Sequence, residues 1–441
     1  MHTICGPLHV YHTKNACLMH TKPIEVPIPS DGSDPITNIT QDNHVMIRQH
    51  KIADFFGLKK STVALLAMVI LVGLGEKMAE RFLPIYLLAL GGGILSVGLL
   101  NAMDNLLSAL YSFPGGYMSD RFGHKRALVI FNLIAMFGYL VVILFPYWQA
   151  VIIGSVFFLS WTAISLPATM SLVSRVLPED KRTMGVSVHS LVRRIPMALG
   201  PVIGGTMIAL YGEKTGVRLA FVIALVLGFV SLILQQAMIA EDPVRGRPEK
   251  RPSKLWRFMS PDLRNLLISD IFIRFAEQIP YAFVVVWCMK VNGISAVQFG
   301  ILTTIEMATA VLVYIPVAYL ADRSTKKPFV VITFFNFAIF PLFLLFSRSF
   351  PMLVIAFIIR GLKEFGEPTR KALIMDLAPE DKKAGMFGLY YLIRDIFVSA
   401  AALGGAFLWQ ISPAANLLTA AACGFAGTIY FRVFGKDLKQ A

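Results

Sequence analysis

Residues 116–126 read GYMSDRFGHKR, and further along the chain residues 318–327 read AYLADRSTKK. A second block, PEDK, occurs at residues 178–181 and again at 379–382. The copies are offset by 202 residues for the first block and by 201 for the second. Both blocks are charged stretches that lie between long apolar segments. The repeat therefore predicts two copies of one membrane-embedded unit.

The composition indicates an all-α integral membrane protein. The 441 residues are 56% hydrophobic and 15% charged, with a mean hydropathy of +0.65, whereas soluble chains are about 45–50% apolar and about 25% charged. Backbone groups in lipid must be hydrogen-bonded internally, so apolar segments near ~20 residues are predicted to be helices. Twelve such segments, called segments 1 to 12, cover residues 62–90, 94–118, 127–147, 149–174, 184–210, 217–240, 263–290, 294–320, 328–346, 351–377, 385–410 and 414–432.

The net charge of +14 reflects membrane topology and not a nucleic-acid partner. If the amino terminus is cytoplasmic, the loops and the tail on that side carry 23 Lys and Arg from Lys59 onward. The opposite side carries only Lys214, Arg218, Lys290 and Arg348. This positive-inside bias predicts that both termini face the cytoplasm of a plasma (inner) membrane. The basic side is expected to contact anionic lipid of the bilayer.

Residues 1–59 are predicted to be a disordered cytoplasmic tail, and Met46 is an alternative start. Six of the eight histidines lie there, with Cys5 and Cys17, so a metal-sensing tail is the competing interpretation. The spacings match no zinc pattern, and the sequence predicts no metal site, no cofactor and no disulfide. Residues 241–262 are predicted to be a cytoplasmic linker between a six-helix bundle at 60–240 and another at 263–441. Its last residues, Ser-Pro-Asp at 260–262, are typical of a helix N-terminus.

Two six-helix halves, a basic central loop and the pattern G-x-x-x-D-R-x-G-x-[KR]-[KR] between segments 2 and 3 resemble the major facilitator superfamily. The pattern is carried by Gly116, Asp120, Arg121, Gly123, Lys125 and Arg126. In the second copy Ala318 replaces the glycine, while Asp322 and Arg323 remain. The resemblance covers residues 60–436. It implies two pseudo-symmetric six-helix bundles around a central cavity, in a monomeric secondary transporter of a small molecule that is not an enzyme.

In that family the repeated loop block is a cytoplasmic latch, which holds the halves together when the cavity opens outward. The resemblance implies that Asp120 is the latch acid and that Arg175, at the inner end of segment 4, is its partner. A carboxylate near a helix N-terminus gains about 0.3–1 kcal/mol. The alternative is that these charges only set topology.

Segment 5 contains Gly200-Pro201-x-x-Gly204-Gly205, which is similar to the helix-5 signature of proton-coupled drug exporters in the same superfamily. This similarity implies efflux by proton antiport. Small residues also let helices approach closely in lipid, so packing alone is the alternative. Residues 154–170 carry no charge, whereas those exporters have an arginine in helix 4.

Charged residues inside the segments are candidate site residues, because each costs about 2.5–3.5 kcal/mol at the bilayer centre. Lys77 and Glu80 of segment 1 correspond through the repeat to Arg274 and Glu277 of segment 7. In both pairs the base precedes the acid by three residues, so each pair shares one helix face. The sequence leaves open whether these pairs serve transport or only hold helices together.

Asp104 of segment 2 corresponds to Glu306 of segment 8. Neither has a basic residue within one turn of its own helix, and a carboxylate outside an ion pair suits reversible protonation. These two are therefore candidates for the proton carrier. Expected position at the cavity favours Glu80, Glu277 and Glu367 instead, and the sequence does not decide between the two groups.

Segment 10 departs from the repeat. Its residues 360–368 read RGLKEFGEP, with Arg360, Lys363, Glu364 and Glu367 around a predicted Gly/Pro break, whereas the matching residues 160–167 of segment 4 are uncharged. Segments 1, 4, 7 and 10 line the cavity in this family, and broken helices expose polar backbone to ligands. We expect segment 10 to bind substrate or to handle protons.

A gradient must drive transport, since no G-x-x-x-x-G-K-[ST] nucleotide loop occurs. The predicted function is proton-coupled transport of a small molecule, with efflux by antiport favoured. The intramembrane bases fit an anionic or zwitterionic substrate, which leaves import by symport or facilitated diffusion as an alternative. A non-transporting membrane sensor and an intramembrane enzyme are the remaining alternatives, and no nucleophile or metal cluster supports the enzyme.

Overall fold

The computed structural model describes residues 60–159, 161, 182–238, 256–321, 325–379 and 383–436. All of these belong to one compact unit, Ala53–Ala441. The predictions for the tail at 1–59, for most of the linker at 241–262 and for nearly all of 160–167 lie outside the described residues. Within the described ranges the secondary structure is helical and contains no strand.

The first half begins with a broken helix. Its helices are α1 (Lys60–Glu80), α2 (Leu83–Ala89), α3 (Ile94–Phe122), α4 (His124–Leu144), α5 (Trp148–Phe158) and α6 (Arg182–Met238). Segment 1 is split into α1 and α2 just before Pro84, which cannot donate a backbone hydrogen bond. Segments 5 and 6 both lie in α6, where the chain reverses at Gly212. Its φ of 79° is a conformation that glycine adopts without strain.

The second half follows the same order. Its helices are α7 (Pro261–Gln278), α8 (Phe283–Val286), α9 (Ala296–Ala321), α10 (Lys327–Phe346), α11 (Phe350–Leu362), α12 (Glu367–Leu377), α13 (Lys383–Ile411) and α14 (Pro413–Phe434), with a π-helical turn, Trp287–Val291, after α8. The hydroxyl of Ser260 accepts a hydrogen bond from the Leu263 amide at 3.2 Å, which confirms the predicted N-cap. Gly91 and Gly293, 202 residues apart, both adopt positive φ in the turns that follow segments 1 and 7.

The helices have the length and surface expected in a bilayer. Eight described helical stretches are long and apolar enough to cross a membrane, and one of them, Val192–Met238, contains both segments 5 and 6. Large apolar side chains such as Leu210, Leu312 and Ile411 are at least 70% exposed. In water such a surface would be unfavourable, whereas in lipid it is matched by its surroundings.

Two repeat-related contacts join the halves. In the first, segment 5 packs against segment 8, and the Thr304 hydroxyl donates to the Ala198 carbonyl at 2.7 Å. In the second, segment 2 packs against segment 11, where Gly98 lies directly against Ala406. Because segments 2 and 5 correspond to segments 8 and 11, each half offers the same two surfaces to the other. Small residues at these contacts permit the close approach.

An apolar core shared by both halves closes one side of the molecule, called here the sealed side, where the Gly91 and Gly293 turns lie. The rings of Phe82 and Phe299 meet edge to face across the halves at 5.7 Å. A second apolar core belongs to the second half alone. The halves are therefore tightly joined at the sealed side, and the space between them lies deeper in the molecule.

Candidate functional site

A polar cavity of about 340 Å³ lies between the halves. It extends from the middle of the molecule toward Tyr314 and Lys371, away from the sealed side. Eleven of its sixteen lining residues are charged, which makes it a site for a charged or strongly polar solute. The lining residues are Arg81, Asp104, Arg193, Arg194, Met197, Arg274, Glu277, Gln278, Tyr281, Glu306, Met307, Tyr314, Lys363, Glu364, Glu367 and Lys371.

Most of the residues predicted for the substrate or proton pathway meet here. Seven of the ten line the cavity: Asp104, Arg274, Glu277, Glu306, Lys363, Glu364 and Glu367. Glu80 and Arg360 line a smaller pocket of about 40 Å³ that shares Arg81, Asp104 and Tyr281 with the cavity. Lys77 completes the set through its ion pair with Glu80.

On the first-half wall, one base is held between two acids of the same helix. The Lys77 ammonium pairs with Glu76 at 3.1 Å and with Glu80 three residues later. The predicted Lys77–Glu80 pair is thus present. The guanidinium of Arg81, in the break after α1, lies 5.3 Å from the centre of the Tyr281 ring in the other half, a cation–π contact.

On the second-half wall, acids and bases alternate in a continuous chain. The predicted Arg274–Glu277 pair is present, and Lys363 approaches the other oxygen of Glu277 at 2.7 Å. Glu306 pairs with Arg360 and Lys363, and Glu277 pairs with Lys363 and Arg274. Glu367 and Asp270 each pair with both Arg274 and Arg370. Lys371 also pairs with Glu367, and Arg394 pairs with Asp270 and Asp395. Removing one member leaves its neighbour with an uncompensated buried charge, which is far more costly than removing both.

The predicted break in segment 10 places two of these charges at the cavity. The helix stops at Leu362 and resumes at Glu367, and α10 stabilises the gap. Asn336 donates to the Leu362 carbonyl at 3.1 Å, and the amide of Gly366 donates to the Thr333 hydroxyl at 2.5 Å. These bonds replace the ones the helix loses, so that the turn can present Lys363 and Glu364 to the cavity.

One ion pair crosses the cavity between the halves. Arg194 of α6 donates to Glu364 at 3.0 Å, and its guanidinium lies 5.1 Å from the Tyr314 ring centre. Arg194 lies in segment 5 of the first half. Its guanidinium reaches the turn of segment 10 in the other half. Movement of one half relative to the other must therefore break this ion pair or move both side chains together.

Asp104 differs from every other acid that the structure describes. Each of the others has a basic nitrogen within 4.0 Å, and Asp104 has none. Its polar neighbours on α3 bond to Gln278 and not to Asp104. Asn101 donates to the Gln278 backbone carbonyl at 2.8 Å, and Asn105 donates to the Gln278 side-chain carbonyl at 3.3 Å. Within the described residues no hydrogen bond restrains the Asp104 carboxylate.

The expectation that Glu306, like Asp104, lies outside an ion pair was wrong. Glu306 is buried, with Arg360 at 3.3 Å and Lys363 at 3.6 Å. Both cations come from segment 10, about 55 residues away in sequence, so the absence of a base on its own helix said nothing about its partners. The charged segment 10 therefore removes the symmetry between segments 2 and 8.

Several functional-site residues escaped the sequence prediction, among them Arg81, Asp270, Tyr281 and Arg370. Asp270 and Arg370 are almost fully buried and pair with each other, and the Tyr390 hydroxyl also donates to Asp270 at 3.1 Å. A signal for two of them was present, because Asp270 precedes Arg274 by four residues and Arg370 follows Glu367 by three. Such spacings place charges on one helix face.

The comparisons with known proteins agree with this architecture. The Major Facilitator Superfamily model matches residues 65–276 and 266–440. The chain belongs to the major facilitator superfamily. An uncharacterised MFS-type transporter of Methanocaldococcus jannaschii is 24% identical over 363 residues, which cover 78% of this chain and 87% of that protein. The protein is accordingly a multi-pass membrane transporter of a small molecule and not an enzyme.

Two solved transporter structures share the fold. The nucleoside transporter NupG matches with a TM-score of 0.75 and 11% identity, over 85% of this chain and 100% of that one. The peptide transporter POT matches with a TM-score of 0.70 and 16% identity, over 85% of this chain and 93% of that one. At these identities the likeness shows the superfamily fold and assigns no substrate.

The superfamily loop block has the predicted position. It joins α3 to α4 at Gly123, and the Lys125 ammonium donates to the Gln236 carbonyl at the end of segment 6, at 3.0 Å. Gly116 and Asp120 lie in the last turns of α3, but their side-chain surroundings are not described. Arg175, Asp322 and Arg323 lie outside the described residues. The latch pair therefore stays a prediction.

The glycines of segment 5 are packing positions in this superfamily member. A Cβ on Gly200 or Gly204 would collide with the α1 backbone at Lys77 and Met78, and one on Gly205 would collide with the Ala296 carbonyl of the other half. Pro201 lies in the same helix. These contacts hold α1, with Lys77 and Glu80, at a fixed depth beside the cavity.

Proposed function

We propose that this superfamily member exchanges a small solute for protons across the plasma (inner) membrane, as a monomer with both termini in the cytoplasm. The two halves rock about the contacts of segment 5 with 8 and of segment 2 with 11, which give alternating access to one central site. With that topology, the cavity extends toward the cytoplasm, away from the sealed side. The helix-5 similarity favours efflux by antiport.

The observation that supports proton coupling is the isolation of Asp104. A carboxylate held between cations stays ionised, because protonation would leave those cations unpaired in a buried place. Glu277, Glu306 and Glu367 are held in this way. Asp104 lines the cavity without such a restraint, so it is the group that can take up and release a proton as access changes.

The same cavity supports a second candidate, which is import of an anionic or zwitterionic solute with protons. Arg81 and Arg193 line the cavity, and neither has a carboxylate within 4.0 Å among the described side chains. Two such cations favour a solute with a carboxylate or phosphate. The two candidates are distinguished by a measurement of the pH change inside vesicles during solute entry, because exchange and symport change the pH in opposite directions.

Proteoliposomes that contain a trapped pH dye provide this measurement. Organic cations, organic anions and zwitterions are added outside in turn, and lumenal pH is followed together with uptake of labelled solute. Entry in exchange for protons makes the lumen alkaline, whereas entry together with protons makes it acidic. We expect an alkaline response in the wild type.

The Asp104→Asn variant is expected to lose the pH response. Asp262→Asn is the matched control, because it makes the same substitution at a residue whose partner, Lys436, lies in the same half and is 71% exposed. Solute uptake without any pH change would refute proton coupling. A D104N protein with the full wild-type pH response would refute the role of Asp104.

A further inference from the structure

Among the residues that the structure describes, Arg81 and Asp104 are the two charges outside ion pairs that line both spaces between the halves. Both line the 340 Å³ cavity, and both also line the adjoining 40 Å³ pocket. Arg193, the other cavity base without an ion pair, lines only the cavity. An opposite pair of charges therefore stands where the polar cavity meets the small pocket.

The two charges do not satisfy each other. No basic nitrogen of a described residue lies within 4.0 Å of Asp104, and no described carboxylate lies within 4.0 Å of Arg81. The Arg81 guanidinium is positioned by the Tyr281 ring, which also lines both spaces. The gap between the charges is thus one that a ligand with two opposite charges would fill.

The small pocket beyond these charges is largely apolar. Its lining includes Leu83, Pro84, Leu100, Val284, Val285 and Phe299, and it belongs to the side where the halves are sealed. Apolar walls favour an aliphatic or small aromatic group, because its burial removes apolar surface from water. Glu80 and Arg360 also line it, but they are paired with Lys77 and Glu306, so we expect an uncharged ligand end in this pocket.

We propose that the substrate is a zwitterion with an apolar end, in the manner of a hydrophobic amino acid or short peptide. Its carboxylate binds the Arg81 guanidinium, its ammonium binds Asp104, and its apolar group enters the small pocket. A simple anion would leave ionised Asp104 without a partner and a simple cation would leave Arg81 without one, and an unpaired charge that is partly shielded from water is costly. The inference rests on the proposed function, because it takes this cavity as the transport path.

Binding to the purified full chain tests the proposal in the absence of any gradient. The probes are L-leucine and leucyl-leucine, with L-leucine methyl ester and N-acetyl-L-leucine as analogues that lack one charge each. At least one zwitterion is expected to raise the melting temperature in a saturable way. Both blocked analogues are expected to bind about 10- to 100-fold more weakly, the usual effect of losing a hydrogen bond to a charged group.

Two substitutions of Arg81 separate recognition from folding. Arg81→Gln is expected to weaken zwitterion binding about 10- to 100-fold, while Arg81→Lys, which keeps the charge, retains part of it. Arg218→Gln is the control, since Arg218 is bonded to the Ile143 carbonyl outside the cavity. If R81Q fails to fold, the analogue series on wild type and the R81K variant still show whether the ligand carboxylate binds Arg81.

The proposal is overturned if the methyl ester or the acetylated analogue binds as tightly as its zwitterion, or if no zwitterion binds. Its failure differs from failure of proton exchange. Zwitterion binding without coupled proton movement would refute the exchange and leave this inference intact. Proton movement driven by an organic cation and unaffected by R81Q would refute this inference and leave the exchange intact.

Discussion

The charge of Asp270 stabilises the second half, and its removal has a calculable cost. The side chain is 1% exposed and accepts hydrogen bonds from Arg370 and from Tyr390, with Arg394 at 3.6 Å. Asp270→Asn keeps the size and removes the charge. Two buried arginines then face each other across a neutral amide.

Removing one partner of a buried ion pair costs about 3–5 kcal/mol. Unfolding entropy is about 2.1 cal/mol/K per residue, or about 0.7 kcal/mol/K for roughly 330 described residues. The expected decrease in melting temperature is therefore about 4–7 °C. It is measured by intrinsic fluorescence during heating of the detergent-solubilised protein.

Asp262→Asn is the matched control, because its pair with Lys436 is at 3.4 Å and Lys436 is 71% exposed. An exposed pair contributes about 0–1 kcal/mol, so this variant should melt within about 1.5 °C of wild type. The double variant D270N/R370Q should lose less than the sum of the two single losses. A D270N protein as stable as D262N would refute the claim that the ion pairs of Asp270 stabilise the second half.

Two further predictions concern residues of α6, one at the cavity and one packed against α1. Arg194→Glu should lower the rate of solute exchange in proteoliposomes, and the swap R194E/Glu364→Arg should restore part of it; equal rates in the single and double variants would exclude a direct pair. Gly204→Val should lower the yield of folded monomer in size-exclusion chromatography, because its side chain would collide with the Met78 carbonyl. Val202→Ala, in the same helix, should leave the yield unchanged, and a normal yield of G204V would show that segment 5 does not pack tightly on α1.

The sequence by itself determined the features that depend on local spacing. The repeat, with its offset of about 200 residues, predicted two copies of one membrane-embedded unit, and the loop motif carried the resemblance to the superfamily. The three-residue spacing of Lys77 with Glu80 and of Arg274 with Glu277 predicted two ion pairs that the structure contains. The break in segment 10 was predictable too, because helix periodicity and proline chemistry act within a few residues.

Only the tertiary structure decided which charges meet across helices. Asp270 pairs with Arg370, 100 residues away, and Arg194 pairs with Glu364 of the other half. The contrast between Asp104 and Glu306 arises in the same way, since segment 10 supplies cations to one member of a repeat-related pair and not to the other. The depth and rotation at which one helix packs on another depend on the summed contacts of many side chains, such as the segment 5 glycines against α1, and no local pattern encodes them.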